Sequence, residues 1–164
     1  MKKILLLVLT LLALVFGITG CGKIEKNNKN TNEKITMTCT GEKENSNGIE
    51  LQNIVTYYFN NEQYTTGYSV TTTQKFEDKS LYKEYKSAQE ESVSDTSNKD
   101  IVYDLKSDDK KLTLVFTMTL KNLNVDDAKT EEEKNNFKAS EILNSNESSG
   151  YTCIVDGIKK SELK

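Results

Sequence analysis

The chain predicts an α+β domain: an antiparallel sheet of about six strands with two helices packed on one face, in the order β-ββ-α-ββ-α-β. Three observations carry this expectation. Apolar residues alternate with threonines over stretches of strand length, most regularly in LTLVFTMTL, residues 112–120. The period of two gives way twice to helical spacing, first in KSLYKEYKSAQEES. Short polar clusters separate neighbouring alternating runs, as hairpins require.

The elements follow in order. In ITMTCT, residues 35–40, Ile35, Met37 and Cys39 fall on one side of a strand and Thr36, Thr38 and Thr40 on the other. GEKENSNG reads as a loop. In IELQNIVTYYF, Ile49, Leu51, Val55, Tyr57 and Phe59 share a face, with Asn53 as the exception. NNEQ is the turn to YTTGYSVTTTQKF, where Tyr64, Tyr68, Val70 and Phe76 share a face and the many Thr and Tyr suit a strand. Asp78 or Ser80 can cap the first helix, whose Leu81, Tyr85 and Ala88 recur at spacings of four and three. IVYDL and LTLVFTMTL form a hairpin around KSDDKK. Thr130 with Glu133 three residues later is a capping-box pattern, and the acidic first turn suits the helix dipole. That helix is expected to run to about Leu143, with Phe137, Ile142 and Leu143 inward. YTCIVDGI is the last strand, with Tyr151, Cys153 and Val155 on one face. The threonine-rich face opposite the helices is expected to meet solvent.

Ahead of the domain stands a three-part leader. Lys2 and Lys3 give a positive start, residues 4–18 are almost wholly apolar, and the small residues Thr19 and Gly20 precede Cys21. The apolar run is shorter than the roughly 20 residues that a membrane-crossing helix needs. Ile18-Thr19-Gly20-Cys21 resembles the bacterial lipobox. In such precursors the cysteine thiol receives a diacylglyceryl group and the leader is removed, so Cys21 becomes the lipidated first residue. Two acyl chains anchor stably because each buried methylene contributes about 0.8 kcal/mol. The competing reading is an ordinary cysteine behind a non-lipid leader. The organisation is therefore residues 1–20 as signal peptide, 21–34 as a flexible tether and 35–164 as a single domain. The tether, CGKIEKNNKNTNEK, has one aliphatic residue and cannot bury a core; as a random coil it spans about 20 Å.

Composition narrows the function. Loss of Lys2 and Lys3 with the leader takes two positive charges from a formal net charge of −3, leaving −5. That balance argues against nucleic acid as a partner and against electrostatic adhesion to an anionic membrane. The lipid on Cys21 is then the link to the membrane. Of the 3 cysteines, Cys39 and Cys153 remain, and in an exported chain they point to one long-range disulfide that sets the first and last strands close together, the alternative being two buried thiols. With 0 His and no CxxC spacing, no zinc set is expected, and no cofactor is implied.

The lipobox cysteine, the early ITMTCTG and the run YYFNNEQYTTGYSVTTTQKFEDKSLYKEYK resemble the YehR-like family of small bacterial lipoproteins. The resemblance implies a small α+β fold outside the cytoplasmic membrane, on its extracytoplasmic face, and brings no catalytic residues.

Other motifs are weaker. Ser80-Leu81-Tyr82-Lys83 fits the S-x-x-K nucleophile pattern, but so do Ser107 to Lys110 and Ser161 to Lys164, without a KTG partner. Asp108 and Asp109, Asp126 and Asp127, and Glu131 to Glu133 are acidic, yet none follows the spaced calcium-loop pattern. Tyrosines gather around the first hairpin and first helix, and Tyr often marks interfaces. Ile54 and Tyr58 fall together on the threonine-rich face and form the candidate binding patch. The expected function is a membrane-anchored, non-enzymatic binding or accessory domain of the cell envelope, acting on an envelope protein or small ligand. The alternative is a small carboxylate-dependent hydrolase of envelope material.

Overall fold

Alternation along the chain produces one antiparallel sheet in the computed structural model, which describes residues 35–59, 64–94, 98–157 and 159–163. The leader, the tether with Cys21 and the 60–63 turn lie outside the described residues. The strands are β1 (Ile35–Thr40), β2 (Glu44–Ser46), β3 (Ile49–Phe59), β4 (Thr65–Phe76), β5 (Ile101–Asp108), β6 (Thr113–Leu120) and β7 (Thr152–Asp156). The helices are α1 (Lys79–Ser94), α2 (Glu131–Asn135) and α3 (Ala139–Ser148). The sheet order is β5-β6-β4-β3-β1-β7, with β2 paired to β3 beyond the end of β1. Among the described residues the fold is α+β with seven strands and two main helices.

The seventh strand corrects the expected six. GEKENSNG is not a loop: Glu44–Ser46 pairs with β3, and Asn47-Gly48 closes a two-residue hairpin. Both turn residues have positive φ, 54° and 76°, as the favoured hairpin turn demands. All three β2 residues are exposed and polar, so they carry no alternation to read.

The second helix is also corrected. Thr130 accepts from the Glu133 amide at 3.1 Å and starts α2, as the capping pattern predicts. The helix then stops at Asn135 and resumes at Ala139. The break occurs because the chain pairs briefly with the start of β4. The Phe137 carbonyl accepts from Thr65 N–H at 3.0 Å, and Lys138 bridges to Tyr64. α3 then continues past Leu143 to Ser148. In α1, Asp78 is the cap, its carboxylate accepting from Leu81 N–H at 2.7 Å, and Ser80 lies inside the first turn.

Both main helices lie on the same side of the sheet. α3 covers one end, where Ala139, Ile142 and Leu143 pack with Ile35, Met37, Cys39, Phe59 and Cys153. α1 covers the other end through Tyr82, which packs with Phe76 and Leu114. Ile49 and Phe59, ten residues apart on β3, reach these two clusters from one face, as the period of two requires. Leu112, expected on a strand, instead occupies the β5–β6 turn at φ 50° and packs against the α1 cluster.

A bulge between Tyr58 and Phe59 sets Thr65, in place of Thr66, opposite Phe59. Thr65 is 3% exposed, and its hydroxyl lies 3.0 Å from the Tyr58 carbonyl and 2.8 Å from that of Gly67. This local satisfaction lets a polar residue take an inward position. At Gly67 a Cβ would come within 2.5 Å of the Leu120 carbonyl oxygen, so the close approach of β4 to β6 requires glycine there.

Candidate functional site

The outer face, opposite α1 and α3, is a hydroxyl-rich plane. One row across the strands reads Ile154, Thr38, Thr56, Ser69, Thr119, Val102, and the adjacent row Thr152, Thr40, Ile54, Thr71, Thr117, Asp104. Hydroxyls bond across it: Thr71 to Thr117 at 3.1 Å and Tyr58 to Ser69 at 3.1 Å. Such threonine contacts help hold the strands together.

Ile54 and Tyr58, the candidate patch, both stand on this face, four residues apart on β3. Tyr58 is 37% exposed, while Ile54 is half-buried among its threonine neighbours. Two further apolar side chains were not singled out from sequence, Ile154 at 62% and Val102 at 44% exposure. The alternation of YTCIVDGI places Ile154 outward. The strand order that sets it and Val102 on the two edge strands is not written in that alternation.

Cys39 and Cys153 stand directly opposite each other on β1 and β7, with their sulfurs bonded at 2.06 Å. The pair is buried in the α3 cluster and serves structure. Cys21 lies outside the described residues.

The acidic residues at the β5–β6 turn are structural. Asp109 accepts from the Tyr82 hydroxyl and from Lys86 Nζ at 2.9 Å, which fastens α1 to the hairpin. The Tyr82 hydrogen bond, and then the Lys86 bond, hold the Asp109 carboxyl below its ordinary value. Asp108 accepts from the backbone amides of Lys110 and Lys111, both at 3.1 Å, and its carboxyl is likewise lowered, first by the Lys111 amide. Glu50 is lowered by its 3.0 Å bond to Lys43. A carboxylate that donates a proton near neutral pH needs the opposite shift. Among the described residues no group of three or more Cys, Asp or Glu is placed to hold a metal ion. Ser80 is exposed on the first turn of α1, whereas Tyr82 in the same S-x-x-K match is buried.

On the helix side, a half-buried aromatic strip separates the two core clusters. Tyr57 and Tyr68 pair across β3 and β4 with ring centres 6.0 Å apart, and Tyr103 meets Phe116 at 5.6 Å. Asn146 of α3 donates to the Tyr57 hydroxyl at 3.1 Å. Burial, reinforced by the neighbouring Tyr57 and Tyr103 hydroxyls, pushes the Tyr68 phenol up to about 12, so it remains a donor. Alternation placed Tyr57 and Tyr68 in the core; the gap between α1 and α3 leaves them at its margin.

No family model matches the chain, and no curated protein matches it. The chain is similar to an NMR structure of a protein from Streptococcus pneumoniae TIGR4, 16% identical, with a TM-score of 0.47, covering 82% of this chain and 93% of that one. Among the described residues, no helix is long and apolar enough to cross a membrane.

Proposed function

We propose that this chain is an extracytoplasmic bacterial lipoprotein of the YehR-like kind, held to the cell membrane by acyl chains on Cys21. Residues 35–164 then act as a non-enzymatic binding or accessory domain of the envelope, meeting a partner through the outer face. The supporting observation is that Ile54, Tyr58 and the 62% exposed Ile154 share the face that carries neither main helix. These side chains give the outer face apolar contact points among its hydroxyls.

Cross-linking the intact protein on living cells, followed by mass spectrometry, tests the reading. A specific envelope protein is expected, and Ile54→Thr with Tyr58→Thr should abolish its capture while leaving the melting transition in place. Capture that survives both substitutions contradicts the assignment to this face.

A further inference from the structure

On the helix side of the sheet, β3 and β4 carry three polar side chains where the period of two calls for apolar ones: Asn53, Thr72 and Gln74. They form one group. Asn53 lies directly opposite Thr72, whose hydroxyl donates to Asn53 Oδ1 at 2.8 Å. Gln74 is the next inward position on β4 and is only 4% exposed. Gln89 of α1 reaches it, its Nε2 donating to Gln74 Oε1 at 2.6 Å. Phe116 of β6 stands directly opposite Thr72, and its ring meets that of Tyr103. No Lys, Asp or Glu is among these residues. Asn53, Thr72 and Phe116 belong to neither of the two helix-covered clusters and remain half-buried.

The hydrogen bonding of this group is incomplete. Gln89 Oε1 is buried and meets no donor among the described residues. Exchanging oxygen and nitrogen in both glutamine amides only turns the orphan acceptor into an orphan donor, because a single bond joins the pair. The N–H groups of Asn53 Nδ2 and Gln74 Nε2 are also unpaired among the described residues. Buried polar groups are ordinarily paired, and apolar residues of like size would serve packing as well at these positions.

We propose that Asn53, Thr72, Gln74 and Gln89, beside Phe116 and Tyr103, form a binding site for a neutral saccharide. Unused amide donors surround an unused amide acceptor, so the ligand must supply acceptors and a donor close together. Sugar hydroxyls do both. A charged ligand would leave water without a counter-charge in this group, which is costly. The C–H face of a sugar ring suits the rings of Phe116 and Tyr103, and a few placed polar groups beside aromatic walls are how small-molecule sites fix orientation. A peptide strand offers similar groups, but β3 and β4 are interior strands with no open edge for it to pair with. The inference shares with the proposed function the premise that the domain binds, and concerns the opposite face from Ile54 and Tyr58.

The test titrates the full 164-residue chain, in a sugar-free polyoxyethylene detergent, with glucose, galactose, mannose, N-acetylglucosamine and chitobiose up to tens of millimolar. NMR should show saturable shifts of the side-chain amide signals of Asn53, Gln74 and Gln89 with at least one of these sugars, and weaker shifts with glucuronate. Gln74→Leu with Gln89→Leu, and separately Asn53→Leu with Thr72→Val, replace each hydrogen-bonded pair by apolar groups. Each double variant should weaken that sugar at least about tenfold, the loss expected for one or two hydrogen bonds. Each should also melt no lower than the wild-type chain, since removing both partners leaves nothing unsatisfied. Silence of these side-chain amides toward every sugar in the panel overturns the proposal and assigns the orphan amide to an ordered water. So do shifts centred on other residues, or sugar affinity unchanged in both double variants. Any of these leaves the outer-face reading standing, because Ile54→Thr with Tyr58→Thr tests that separately.

Discussion

Reduction of the Cys39–Cys153 bond should destabilise the domain substantially while leaving its native structure in place. The cross-link joins residues 114 positions apart, nearly the whole described domain. The chain-entropy estimate for a loop of that size is about 4.8 kcal/mol at 25 °C, and native disulfides of small exported domains contribute about 2–5 kcal/mol. At about 2.1 cal/mol/K per residue, a domain of roughly 130 residues has an unfolding entropy near 0.27 kcal/mol/K. The expected fall in melting temperature is therefore about 7–18 °C. Reduction tests this better than substitution. Cys39 is 0% and Cys153 3% exposed, so Cys→Ala would add a cavity cost and Cys→Ser would bury a hydroxyl. The assay is thermal denaturation followed by circular dichroism, with and without a phosphine reductant, with complete reduction verified by alkylation and mass measurement. The urea m-value should rise on reduction because the unfolded chain expands. A fully reduced protein melting within about 2 °C of the oxidised form refutes the reasoning, since it requires the cross-link to leave the unfolded ensemble unconstrained.

Other outcomes follow from single contacts. Gly67→Ala drives a methyl group toward the Leu120 carbonyl and should cost about 1–3 kcal/mol in urea unfolding, more than alanine usually costs in a strand. The Asp109 carboxyl is lowered in the folded state, so its stabilising contribution is present above the ordinary carboxylate pKa of 3.8 and is lost as pH falls through the lowered value. An unfolding series between pH 6 and pH 2 should show that loss, and Asp109→Asn should flatten the acid slope. Tyr82→Phe, which deletes one hydrogen bond to Asp109, should cost about 1 kcal/mol at neutral pH. The Tyr68 phenol is raised to about 12, so the folded state holds its proton longer than the unfolded chain, and stability should decline as pH rises from 10 toward 12. Tyr57, Tyr82 and Tyr85 are raised by burial as well, so ultraviolet titration of tyrosinate should show several late-ionising groups, one fewer in Tyr68→Phe.

Much of the architecture was legible because this sheet buries one face. Met37 and Cys39 on β1, and Leu114 and Met118 on β6, are buried while the threonines between them are not, as alternation requires. Asp78 and Thr130 do cap their helices. Cys39 and Cys153 pair across adjacent strands, so their place near the two ends of the domain also placed β1 beside β7. The failures have local causes. β2 has no buried side chain, and its signal was the Asn47-Gly48 dipeptide rather than hydrophobicity. The bulge at Thr65 and the interruption at Phe137 depend on each other through one backbone hydrogen bond between distant segments, which no local pattern encodes. The candidate patch was half visible. Alternation placed Ile54 and Tyr58 outward, but Ile154 and Val102 gain their exposure from lying on edge strands.

Mass spectrometry of the protein recovered from bacterial membranes, after expression of all 164 residues, tests the central claim most directly. A chain that begins at Cys21, carries the mass of a diacylglyceryl group and stays with the membrane until detergent is added is the predicted result. A chain with unmodified Cys21, or one released in soluble form with a different first residue, contradicts the anchored-lipoprotein account.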